Sequence, residues 1–334
     1  MAKRTRERGF PADPDPLPVP VVDNHTHLDH IAAVLPSKGP DGEPGGYAWP
    51  PSITDHLARA AAAGVDRVVQ VGCDLPSARW TADLLASLSA GYSRGPGPDA
   101  PHIPSTRRGA QVLGAVAVHP NEATLHAGVD EVGPDGLTPA FEERHTVGLS
   151  DAIAEIADLA KSNDRIRAIG ETGMDLFRTG PRGEQAQRDA FRAHIALAKE
   201  LGLALQIHDR DAHAQVIEVL LADGAPERTV FHCYSGDAEM ARVCAEHGWY
   251  LSFAGPVTFK ANNHLRAALA VAPRELILLE TDAPYLTPHP YRGQPNAPFA
   301  AAHTVRAMAA HLGEDLATLC ADIAANSERV YGNW

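Results

Sequence analysis

Eight short β-branched or apolar runs recur along the chain, separated by longer Ala-rich stretches of helical period. The runs are PVVDNHTH (20–27), RVVQVGC (67–73), VLGAVAVHP (112–120), IRAIGETG (166–173), LALQIHDR (203–210), RTVFHCYSG (228–236), YLSFAGP (250–256) and LILLETDAP (276–284). Helices are predicted over 52–64, 75–89, 148–163, 183–202, 211–223, 237–247, 262–272, 298–312 and 314–331. Within 183–202, Ala190, Phe191, His194, Ile195, Ala198 and Leu201 recur every three to four positions, and Gly202 supplies the stop. Asp211 is predicted to cap the helix that follows, and Gly224 to end it. Strands alternating with helices require a parallel sheet, and eight of them favour an α/β fold closed into a (β/α)8 TIM barrel. An open doubly wound sheet is the alternative. The barrel is preferred because no glycine fingerprint follows the first strand, and because polar residues gather at the C-terminal ends of the runs.

The domain reading is a flexible or loosely packed N-terminal extension over 1–18 and one barrel domain over 19–334. Three stretches rich in Gly, Pro and Asp, 36–51, 91–109 and 126–146, read as inserted surface loops. The four cysteines, Cys73, Cys233, Cys244 and Cys320, form no CxxC pair, which suits free thiols in a reducing cytoplasm. The basic start MAKRTRERGF runs into Pro-rich sequence where a secretory signal needs an apolar core, and no run reaches membrane-spanning length. A net charge of −13 argues against a broad basic face for nucleic acid. It leaves open a nucleic-acid substrate gripped through divalent cations.

Seventeen histidines are the outlier. His102, His145 and His311 read as surface decoration, but others close the strand-like runs. His25 and His27 end the first, His119 the third, Glu171 and Asp175 the fourth, His208 the fifth, His232 the sixth and Asp282 the eighth. In a closed barrel these ends converge on one rim. Residues i and i+2 of a strand share a face, so His25 and His27 can grip one cation together. Imidazole with carboxylate suits Zn²⁺, Mn²⁺ or Fe²⁺, and Mg²⁺ where carboxylates and phosphate dominate. Four histidines and two carboxylates from five of these strands make six ligands, more than one catalytic ion with an open position takes. They suit two ions sharing a bridging carboxylate, a recurring device for phosphoester cleavage.

The stretches VVDNHTHLD, VAVHPNEA, AIGETGMD, LQIHDRDA, VFHCYSG, SFAGPVTFK, LLETDAPYLTP and YRGQPNAP, in this order, resemble the TatD-type metal-dependent hydrolases of the amidohydrolase-like barrel group. NSERVYG in the last helix matches too, so the resemblance covers the chain after its extension. It implies that His25, His27, Glu171 and Asp282 hold one metal, and that Glu171, His208 and His232 hold the other, with Glu171 bridging. It also implies a 3′ to 5′ exodeoxyribonuclease preferring single-stranded DNA, with RNA as a further substrate class. Two divalent ions, Mg, Mn or Zn, are the implied cofactors. Neither a membrane nor a stable protein partner is expected.

The chemistry expected of this set makes Asp282 the base, beside Glu171, and the resemblance implies that His119 contacts the substrate phosphate. Ser235, with the backbone after the sixth strand, and Arg292 are further candidate phosphate contacts. For Arg292 a role in shaping its Pro-bounded loop is an equal alternative, and Lys260 is equally readable as a surface ion pair. Asp23 is expected to orient a ligand histidine. Cys233 is expected to face into packing. Two other function classes fit the same ligands: an amidohydrolase or deacylase acting on a small substrate, and a metal-binding protein without turnover. A carboxylated-lysine bridge, common in small-substrate relatives of this barrel, finds Glu171 in its place.

Overall fold

The structure, a computed structural model, describes residues 9–31, 53–89 and 109–334. The expected loop at 36–51, the expected loop at 91–109 up to residue 108, and His102 within the latter lie outside the described residues. Eight parallel strands form one sheet in sequential order: β1 (Val21–Thr26), β2 (Val65–Gly72), β3 (Gln111–Val116), β4 (Ile166–Asp175), β5 (Ala204–Arg210), β6 (Thr229–Phe231), β7 (Tyr250–Phe253) and β8 (Ile277–Leu279). The described helices are α1 (Leu28–Ile31), α2 (Ile53–Ala62), α3 (Leu75–Ser89), α4 (Pro120–His126), α5 (Leu149–Ser162), α6 (Pro181–Leu201), α7 (His213–Asp223), α8 (Ala238–Glu246), α9 (Asn263–Val271), α10 (Ala301–Leu312) and α11 (Leu316–Tyr331). The barrel is nearly closed. Between β1 and β8, closure is made by the chain just beyond β8: Thr26 bridges Ala283, Asp282 N–H donates to the His25 carbonyl at 2.9 Å, and His27 N–H donates to the Ala283 carbonyl at 2.7 Å.

Side-chain alternation sorts the core into two clusters. Val69, Val71, Leu113, Ala115, Ala168, Ala204, Val230 and Leu278 fall in one cluster, which Val330 and Tyr331 at the end of α11 join. Val68, Val112, Val116, Ile169, Leu205 and Ile207, from the intervening positions, pack with the helices in the other. This is why β3 reads as a continuous apolar run over 112–116 and β2 is broken in its second half only by the buried Gln70: parallel strands between a filled interior and a helical jacket bury both faces. Each fully buried Val or Leu contributes about 1.5–3 kcal/mol of transfer free energy.

Several local expectations are corrected. The run 112–120 is not one strand, because β3 stops at Val116 and α4 starts at Pro120. His119 is the N-cap of α4, its ring accepting from Asn121 N–H at 3.0 Å, and Pro120 takes the first helical position. Ala212, not Asp211, is the N-cap of α7, and its side chain makes no cap bond. Gly202 ends α6 in the left-handed conformation as its position predicts. Of the N-terminal segment, residues 9–18 are described and lie against the barrel. Phe10 packs its ring edge-on to His56 and Phe299, and Leu17 is buried.

The 126–146 stretch is anchored at both ends. His126 and His145 are buried, so His145 is not surface decoration; His311 is exposed. His145 Nδ1 accepts from Glu142 N–H at 2.8 Å, which leaves its Nε2–H for Glu122, also at 2.8 Å. Arg144 holds the same carboxylate with two N–H groups, at 2.7 and 3.0 Å. Between the anchors Val132, Leu137 and Phe141 stand exposed.

Candidate metal centre

The barrel brings His25, His27, His119, Glu171, His208, His232 and Asp282 to one end of the strands. His25 belongs to β1 and His27 follows it; Glu171 and His208 lie inside β4 and β5; His232 directly follows β6. Asp282 comes three residues after β8, in a left-handed turn (φ 54°) that aspartate tolerates. The closure bonds beyond β8 tie that turn to β1, which sets Asp282 Oδ1 3.5 Å from His27 Nε2. A close approach fixes β4 against β5. A Cβ on Gly173 would stand 2.2 Å from the His208 carbonyl oxygen, so only glycine lets the two strands meet there.

Glu171 is the centre, and its two oxygens face different histidines. Oε1 lies 3.4 Å from His27 Nε2 and 3.7 Å from His25 Nε2. Oε2 lies 2.9 Å from His232 Nε2, 3.1 Å from His208 Nδ1 and 3.7 Å from His119 Nε2. The donor set fits divalent metal. His25 and His27 point Nε2 at Nε2 across 3.3 Å, about the span of two nitrogens each roughly 2.1 Å from one cation. Ligand atoms of His25, His27 and Glu171 gather within 4.8 Å of one another, as do those of His119, Glu171 and His208. His119 thus stands among the possible ligands as well as at the substrate side.

Outer contacts hold these rings in place. His27 Nδ1 lies 3.0 Å from the Val71 carbonyl. His208 Nε2 lies 3.2 Å from Asp175 Oδ2, which also accepts from Asn121 at 3.1 Å. His232 Nδ1 lies 3.3 Å from Oε1 of the fully buried Glu280, and the same oxygen accepts from Cys233 N–H at 2.7 Å. This is the carboxylate–histidine arrangement that fixes tautomer and ring orientation in metal sites. The sequence reading missed Glu280. Its signal is the Glu two residues before Asp282 in LLETDAP, a polar residue where a strand-end core position is due. Asp23 does not reach a histidine ring. It accepts from Thr281 N–H at 2.8 Å and the Thr281 hydroxyl at 2.6 Å, and so braces the turn that carries Asp282.

The carboxylates and histidines of the cluster shift one another in opposite directions. Burial alone would raise the Glu171 carboxyl, but charge on His232 and His119 and contacts with His208 and His232 hold it well below the ordinary range. Burial likewise opposes charge on His208, but Asp175 and Glu171 lift it to about 9. His232 is raised against the same burial, by Glu171 and Glu280, and His27 by Asp282 and Glu171. Asp282 is lowered despite burial, through His27 and His232. His119 falls to about 4 through burial and the His208 charge.

Two predicted substrate contacts have other partners here. The Ser235 hydroxyl donates to the Asp209 carbonyl at 3.0 Å. The Arg292 guanidinium stacks over the Phe259 ring at 4.1 Å. Lys260 is exposed.

A parallel (β/α)8 barrel with histidines and carboxylates converging at the strand ends defines the class of metal-dependent hydrolases. The sequence pattern of the family described as TatD related DNase matches residues 22–332, and the chain belongs to that family. It is 38% identical over 316 residues to the Mycobacterium tuberculosis protein named uncharacterized metal-dependent hydrolase TatD, covering 93% of this chain and 98% of that one. It is 33% identical over 204 residues to the Escherichia coli K12 protein named 3′-5′ ssDNA/RNA exonuclease TatD, covering 59% and 76% of the two. Among solved structures, the Escherichia coli TatD homologue YJJV superposes with a TM-score of 0.68 at 20% identity, over 94% of this chain and 98% of that one. That likeness supports the fold. No helix among the described residues is long and apolar enough to cross a membrane.

Proposed function

We propose that the protein is a two-metal phosphodiesterase that removes nucleotides from the 3′ end of single-stranded DNA, with RNA as a second substrate. The observation that carries this reading is the division of Glu171: Oε1 toward His25 and His27, Oε2 toward His208 and His232. One carboxylate serving two histidine sets is the layout of a bridged pair of sites. His25, His27, Asp282 and Glu171 would hold one divalent ion, Mg, Mn or Zn, and Glu171, His208 and His232 the other. The chemistry such ions supply when bound is polarisation of a phosphoryl oxygen and acidification of water. The exonuclease named among the relatives supports the nucleic-acid substrate.

The chain's own groups take the remaining roles. Asp282, held as a carboxylate by its histidine neighbours, accepts the proton of the attacking water. His119 accepts Asn121 N–H on Nδ1, so its neutral ring carries hydrogen on Nε2 and can donate to a phosphate oxygen. Ser235 and Arg292 remain the proposed contacts for phosphates further along the strand: Ser235 would turn its hydroxyl from the Asp209 carbonyl, and Arg292 would use the edge of the guanidinium that stacks on Phe259. The cytoplasm, where nucleic acid and Mg²⁺ are plentiful and thiols stay reduced, is the setting this reading fits.

The test is digestion of a 5′-labelled single-stranded oligonucleotide with Mg²⁺ or Mn²⁺. A ladder shortening from the 3′ end, and absent in EDTA, is expected. An intact oligonucleotide with every metal, beside hydrolysis of a small amide or ester, would replace the nuclease with the amidohydrolase alternative.

A further inference from the structure

A net charge of −13 argues against holding a polyanion by a broad field of lysine and arginine. If nucleic acid is the substrate, grip beyond the phosphate at the metals must come from elsewhere. Single strands offer base faces, and aromatic rings bind these whatever the sequence.

Exposed aromatic surface stands beside the metal cluster. Tyr285 is three residues past Asp282 and 46% exposed. Its ring centroid is 6.2 Å from that of His27, at 65°, and 6.3 Å from that of His30, at 71°. His30 in turn stacks near-parallel to His27, at 5.2 Å and 18°. The three rings run without a break from a buried metal-ligand position outward to solvent.

The platform is rigid where it attaches. Tyr285 N–H donates to the Asp282 carbonyl at 2.9 Å, and its own carbonyl accepts from the fully buried Asn296 at 2.6 Å. The Tyr285 hydroxyl lies 3.4 Å from His30 Nδ1, and His30 Nε2 lies 3.4 Å from Asp29. A phosphate and its own base are separated by only one sugar. A ring next to His27 is therefore within a nucleotide's reach of a phosphate bound at the cluster.

We propose that Tyr285, braced by His30, is the stacking surface for the nucleobase next to the scissile phosphate. The proposal rests on the nuclease reading and names how that site grips its substrate: a purine or pyrimidine of a single strand, taken by its face and without base preference.

The test crosses one substitution with one change of substrate. Degradation by wild type, Tyr285→Ala and Tyr285→Phe is followed on a normal single-stranded oligonucleotide and on one whose 3′-terminal nucleotides are abasic. Tyr285→Ala should lower kcat/KM on the normal strand about tenfold, the scale of one lost base stack, and Tyr285→Phe should restore it. On the abasic strand, Tyr285→Ala should change kcat/KM less than about twofold, because there is no base to lose. An equal loss on both strands would make Tyr285 merely structural and overturn the proposal. Full activity of Tyr285→Ala on the normal strand would overturn it too, with the nuclease reading intact. If wild type cuts neither strand, the nuclease reading itself fails, and the platform with it.

Discussion

Glu171 Oε2 stands 2.9 Å from Nε2 of His232. Behind that ring, Nδ1 lies 3.3 Å from Glu280, so the imidazole is held between two carboxylates. His208 repeats the arrangement, with Glu171 at Nδ1 and Asp175 at Nε2. In both cases one carboxylate faces the centre and the other sits behind the ring. The outer one orients the ring and raises its basicity toward metal.

The first prediction concerns that outer carboxylate. Asp175→Asn keeps the shape but removes the charge behind His208. Divalent-metal affinity, read by titration calorimetry, should fall about 10- to 100-fold with the folded spectrum unchanged. Unchanged affinity would mean that His208 needs no carboxylate partner.

A second prediction follows from the protons the cluster carries. His208, lifted to about 9, is charged at neutral pH in the metal-free protein, and His27 and His232 are raised as well. Their folded values exceed the unfolded one. The stability they give the metal-free protein is therefore complete below about pH 6.5 and is lost as pH rises through about 9. Metal must displace these protons, so affinity should rise with pH across that window. Calorimetry near pH 7 in buffers of different ionisation enthalpy should show protons released on binding. No release would contradict the charged cluster.

Acid stability supplies the third, away from the metal centre. His56 on α2 is 2% exposed, and neither ring nitrogen has a hydrogen-bond partner among the described residues. Burial, then the Arg59 charge, lowers it to about 4. The folded value lies below the unfolded one, so its contribution is intact above about pH 6.5 and disappears as pH falls toward 4. Roughly 3 kcal/mol is at stake over that window. His56→Leu should flatten the decline of Tm between those pH values, and a parallel decline in both proteins would remove His56 as its cause.

Much of this was legible in the sequence because it is written in local period and position. The alternation of runs gave the barrel, and strand ends carrying His and carboxylate gave the cluster. What stayed hidden depends on partners distant in the chain. Glu280 gains its meaning only beside His232, 48 positions away. His145 reads as a surface residue until Glu122 is seen beside it, 23 positions back. Helix α4 was hidden for a local reason: a histidine ring, not one of the usual Ser, Thr, Asp or Asn caps, starts it. Asp211 failed as a cap because the helix starts one residue later and the backbone there is left-handed (φ 55°).

If Glu171 joins two metal sites, the number of ions bound per chain shows it most directly. Protein loaded with Mn²⁺ and freed of excess would be assayed by mass spectrometry for metal content, and by electron paramagnetic resonance for exchange coupling between ions. Wild type should hold two coupled ions per chain, and Glu171→Ala at most one, uncoupled, with turnover lost. A single ion in wild type, or two still bound and active in Glu171→Ala, would contradict the account.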